Sequence, residues 1–131
     1  MVSRPLPCRR RGFTLIELMV VMAIIAVLLT IAAPSYFRHL ERAREASLQQ
    51  TLAVVRDAID KFHGDTGAYP ETLADLASRR YLRAVPVDPI TDSAETWLLI
   101  PPPPANGAGR VWDIKSGAEG TSTRGTPYAD W

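Results

Sequence analysis

Glu17 is the side chain most in need of a chemical partner. It is the only charge in the 21-residue run from Phe13 to Ala33. A carboxylate deep in a bilayer costs roughly 2.5–3.5 kcal/mol, and acids retained in such settings mark function. Close to the start of the run, it can also snorkel to the interface at little cost. Elsewhere the residues able to do covalent or acid–base chemistry do not assemble. His39 and His63 have no nucleophile in sequence reach, and a single cysteine, Cys8, makes neither an internal disulfide nor a metal site. Asp65-Thr66-Gly67 is the aspartic-protease triplet, but that chemistry needs two facing aspartates and there is no second copy. Gly117-Ala118-Glu119-Gly120 does not open a helix and so makes no phosphate loop. Glu41 and Glu45 read as helix-surface charges mixed with Arg38, Arg42 and Arg44. The expectation is a chain that is not an enzyme.

The element that must carry Glu17 is a membrane span. Twenty-one helical residues reach about 31 Å, close to the hydrocarbon thickness of a bilayer. No Gly or Pro interrupts before Pro34. Arg9-Arg10-Arg11 flanks the N-terminal side, which puts the N-terminus in the cytoplasm and exports the rest. The competing reading, a secretory signal removed after Ala32-Ala33, fits poorly. The run is too long for such a signal, Pro34 follows the cut, and a carboxylate opposes insertion. Charge follows the same division. The formal net charge of +1 comes from a leader with four arginines and no acid, followed by a body with 11 basic and 14 acidic side chains. Such balance argues against a nucleic-acid partner.

Beyond the span, Pro34 removes one helical hydrogen bond and predicts a kink if the helix continues. Leu48, Leu52, Val55, Ile59 and Phe62 recur at spacings of 4, 3, 4 and 3, so the helix is expected to run on to His63 and stop at Gly64. Pro70 opens a short helix to about Arg80. Thr96–Ile100 and Arg110–Ile114 read as paired strands around a loop containing Pro101–Pro104 and Asn106-Gly107-Ala108-Gly109. Trp131, if buried, would pin the Gly/Ser/Thr-rich tail.

Arg11-Gly12-Phe13-Thr14-Leu15-Ile16-Glu17-Leu18, with the apolar run and Pro34, resembles the prepilin leader of type IV pilins and type II secretion pseudopilins. The resemblance covers Arg11 to about Tyr36. It implies that prepilin peptidase cuts after Gly12 and methylates the new amino terminus of Phe13, while the apolar helix is retained. The freed α-amine would then lie four residues from Glu17, on one helical face. Glu17 of an incoming copy would seek the amine of its predecessor, fixing axial register. Thr66-Gly67-Ala68-Tyr69-Pro70, Pro86-Val87-Asp88-Pro89 and the tail from Ser116 to Ala129-Asp130-Trp131 look more narrowly like major pseudopilins, the protein G type. True pilins usually close the C-terminal loop with a disulfide, which a chain cut after Gly12 has no cysteine to make. Major pseudopilins commonly use calcium instead. By position the resemblance implies Glu119 and Asp130 as ligands with Ser116 nearby, although Thr121–Pro127 holds no acid and Glu119 stands where aspartate is usual.

The expected fold is α+β and pilin-like: a long N-terminal helix whose first half spans the membrane, then a short helix, a β-hairpin or small antiparallel sheet, and an ordered C-terminal loop. The expected divisions are a leader at 1–12, the span at 13–33, its helical continuation at 34–63 and a small periplasmic domain at 64–131. The expected function is a pseudopilin of a periplasmic filament. The implied partners are further copies of itself, minor pseudopilins, prepilin peptidase, the inner-membrane assembly platform with its cytoplasmic ATPase, and membrane lipid. A type IV pilin for adhesion, motility or DNA uptake is the alternative, and a membrane-anchored periplasmic binding domain the second.

Overall fold

The computed structural model describes residues 12–104 and 107–131. Arg4, Cys8 and Arg9–Arg11, which fall in the expected leader, and Asn106 of the hairpin loop lie outside the described residues. The chain forms two compact units, Met1–Phe37 and Arg38–Trp131. Helix α1, Leu15–Thr66, contributes to both and contains Pro34. Within the first unit its apolar side chains are exposed throughout, from Leu15 to Phe37, and α1 is long and apolar enough there to cross a membrane.

The second unit builds its core on one stripe of α1. Leu48, Leu52, Val55, Ile59 and Phe62 are all buried, and Leu73, Leu76, Leu82, Trp97, Val111 and Ile114 pack with them. The stripe predicted from spacing is therefore the core stripe. Helix α1 does not stop at Gly64. It continues to Thr66, and Gly67 ends it with φ +74°, its amide bonding the His63 carbonyl at 2.8 Å. A left-handed residue at the helix end suits glycine.

Helix α2 is Leu73–Ser78, shorter than predicted at both ends. Its start is set by Thr72 and not by Pro70. The Thr72 hydroxyl accepts from the Asp75 amide, and the Asp75 carboxylate accepts from the Thr72 amide, a reciprocal capping box. Its end is a Schellman turn. Arg80 takes φ +67°, the Tyr81 amide bonds Leu76 O at 2.8 Å and the Arg80 amide bonds Ala77 O at 3.1 Å. Strands β1, Leu98–Ile100, and β2, Asp113–Lys115, pair antiparallel with Leu99 opposite Ile114. The hairpin is thus present but narrower than predicted, and β2 begins three residues later. Gly117 backs onto this segment so closely that a Cβ there would lie 2.0 Å from the Thr96 carbonyl oxygen.

Two loops are fastened from inside. Asp88, fully buried, accepts from the Ile90 amide at 2.8 Å and from the Ser116 hydroxyl, joining the 88–93 turn to the tail. Trp97 donates its indole N–H to Pro86 O at 2.8 Å. Trp131 is half-buried against the core and meets Tyr128 edge-on at 5.5 Å.

Candidate functional site

Two places carry the residues singled out above, one in each unit. In the first, Gly12 and Phe13 are exposed ahead of α1. A Cβ at Gly12 would meet nothing within 4 Å, so the fold itself places no steric demand for glycine there. Thr14 and Glu17 form a capping box at the start of α1. The Glu17 amide donates to Thr14 Oγ1 at 3.2 Å, and the Thr14 amide reaches Glu17 Oε2 at 3.5 Å. The spacing Thr-x-x-Glu carried that signal, which the reading of Glu17 as a membrane acid passed over. Glu17 thus has a local structural role at the start of α1.

In the second unit the tail folds into a loop over α1. Thr121 bridges Pro127, the Ser122 amide bonds Thr126 O at 2.8 Å, and the Gly125 amide bonds Ser122 O at 2.8 Å. A single 3-10 turn, Tyr128–Asp130, closes the chain. The side chain that receives this loop is Glu45. The Thr123 amide and hydroxyl donate to its two oxygens at 2.6 and 2.7 Å, and the Tyr128 hydroxyl donates at 3.1 Å. Glu45 is only 6% exposed, which corrects its reading as a surface charge. Burial pushes its carboxyl up, but the Thr123 hydroxyl and amide, the Tyr128 hydroxyl and the charge of Arg124 outweigh that and hold it below the ordinary value. The sequence held a usable hint: Glu45 lies three residues before Leu48 and so continues the buried stripe by one step.

Of the residues expected around calcium, Ser116 is engaged elsewhere, and Glu119 and Asp130 face solvent. The Ser116 hydroxyl is buried, donating to Asp88 and accepting from the Ala118 amide at 3.1 Å. Among the described residues no group of three or more His, Cys, Asp or Glu side chains comes together. No buried side-chain nitrogen or oxygen there lacks a hydrogen-bond partner. Calcium wants six to eight oxygens with several carboxylates, and Ser116, Glu119 and Asp130 do not fit that demand. Asp65 has a different use from that of a protease aspartate, accepting from the Tyr81 hydroxyl at 2.6 Å.

The long apolar helix followed by a short helix, a hairpin and a looped tail is a pilin-like fold. Comparison with known proteins agrees. The family described as "Prokaryotic N-terminal methylation motif" matches residues 7–33. The chain is 36% identical over 64 residues to the type II secretion system core protein G of Klebsiella pneumoniae, covering 49% of this chain and 46% of that protein. It is 31% identical over 83 residues to the fimbrial protein EcpC of Eikenella corrodens, covering 60% and 54%. With the type IV major pilin protein PilA of Myxococcus xanthus it shares 39% over 70 residues, 53% of this chain and 31% of that one. The chain spans about half the length, or less, of these relatives. No solved structure matches. These likenesses support a place in the pilin-like superfamily and anchoring in an inner membrane, and they do not separate pseudopilin from pilin. Pilin-like proteins are structural and not enzymatic.

Proposed function

We propose that the chain is a structural subunit of a type II secretion filament, a pseudopilin. In this reading prepilin peptidase cuts it after Gly12 and methylates it at Phe13. The observation that carries this is the register of Gly12-Phe13 with Glu17 and the apolar run, inside the matched residues 7–33. Removal of residues 1–12 takes away four arginines and the only cysteine. The basic anchor is then gone, the helix can leave the bilayer, and the new amine of Phe13 supplies the cation that Glu17 lacks. Between copies, that desolvated pair would set the stagger of one helix on the next, since buried ion pairs can fix register even where they add little stability. The N-terminus lies in the cytoplasm and the second unit in the periplasm, with Pro34 providing a bend at the outer end of the span. The assembly platform, its ATPase and minor pseudopilins complete the partners.

N-terminal sequencing and intact mass of the protein from cells test this. The chain should begin at N-methyl-Phe13, and Gly12→Trp should keep its leader. A native start at Met1 or near Pro34 overturns the reading. Glu17→Ala should be processed and inserted yet fail to assemble, and normal filaments from it would remove the register role. A type IV pilin is the second reading, favoured by the likeness to PilA and EcpC. Loss of motility or adhesion with intact secretion in a deletion strain would select it.

A further inference from the structure

We infer that the C-terminal loop is held by a metal-free strap, in which Glu45 and Arg56 of α1 do what a bound cation would otherwise do. The carboxylate able to organise this loop stands on the helix and not in the loop, and three donors from Thr123 and Tyr128 already fill it. The Ser122 hydroxyl and several main-chain groups of the loop are likewise used. Ser122 Oγ accepts from the amides of Arg124 and Thr126 at 3.3 and 3.2 Å, and the Tyr128 amide bonds Gly120 O at 3.3 Å. No orphaned buried side-chain atom among the described residues asks for an ion.

The far end of the loop is secured by the opposite charge. Arg56 Nη2 donates to Trp131 O at 3.1 Å and to Ile114 O at 3.0 Å, while Nε donates to Asp113. Glu45 and Arg56 are separated by three helical turns, about 16 Å along the axis. Thr123 to Trp131 spans that distance with slack. A divalent cation could stand in for neither point: Glu45 has its donors, and Arg56 is itself the cation. The strap is independent of filament formation, so it stands or falls apart from the function proposed above.

The test uses the full chain in detergent micelles, with limited trypsin cleavage after the exposed Arg124 as readout, in millimolar calcium and in chelator. Wild type should be cut at the same rate in both. Glu45→Ala should be cut about tenfold faster or more, since a lost charge-assisted anchor raises the open population by that order, and calcium should not restore protection. Glu119→Ala combined with Asp130→Ala should behave as wild type. Tyr128→Phe removes one donor without leaving a cavity and should give a smaller, several-fold increase, which keeps the test alive if Glu45→Ala does not fold. Calcium-dependent protection of wild type, or unchanged cleavage in both Glu45→Ala and Tyr128→Phe, overturns the strap.

Discussion

Arg56 Nε lies 2.6 Å from Asp113 Oδ1, so one guanidinium on α1 ties β2 and the chain's last residue to the helix at once. Its side chain is 38% exposed and that of Asp113 26%, so solvent screens the ionic part of the pair. The weight falls on the fixed geometry and on the two main-chain oxygens, of Ile114 and Trp131, that Arg56 also serves. Arg56→Met should cost roughly 1–3 kcal/mol, mostly through those oxygens losing their donor. Arg56→Lys should recover little, because a single ammonium nitrogen cannot reproduce the spread of Nε and Nη2 over three separate acceptors. Thermal unfolding of the two variants checks this, and equal recovery by Lys would show that charge alone matters.

Gly64 and Gly67 offer opposite outcomes from the same substitution. Gly64 lies inside α1 with open space where a Cβ would go. Gly64→Ala should therefore stabilise by about 0.5–1 kcal/mol. Gly67 has equal space but φ +74°, so Gly67→Ala should destabilise by roughly 1 kcal/mol through backbone strain alone. Chemical denaturation of both variants would locate the helix end. A stabilised Gly67→Ala would place the end elsewhere.

The Glu45 carboxyl gives the second unit an acid limit. Its folded pKa lies below the ordinary 4.5, so its contribution is present above that value and is lost as pH falls through the folded pKa. Tyr128 sets the alkaline counterpart. Burial, then its bond to Glu45, raises its pKa above 10.0, so its share is present below that value and is lost as pH rises through the folded pKa. Glu41, Arg42 and Arg44 on α1 and Arg124 on the loop border the same carboxylate. Melting temperature followed against pH should be level through neutrality and fall in acid, and Glu45→Gln should lower the plateau while flattening that fall. An unchanged acid limb in Glu45→Gln would mean that other carboxylates control it.

What periodicity could show, it showed: Leu48 to Phe62 alternate at helical spacing because one face of α1 meets the core. The boundaries were harder. Thr72 displaced Pro70 as the start of α2 because a side chain that caps an amide outweighs a ring that merely tolerates the position. Gly67 displaced Gly64 because nothing in a glycine's identity says whether its φ will be positive. Glu45 is a carboxylate at the next position of the buried stripe, where residue type alone points to solvent. Its partners, Thr123 and Tyr128, lie 78 and 83 residues away, beyond what local spacing reports.

That separation bears on the order in which the chain is made. A growing polypeptide carries Glu45 and Arg56 through the synthesis of about three further quarters of the second unit before Thr123 and Trp131 exist to meet them. Until then a buried acid has no donors, and the hairpin lacks its rear support. The closing contacts are long-range and form late, so premature termination ahead of Thr123 should leave a collapsed but unlatched intermediate.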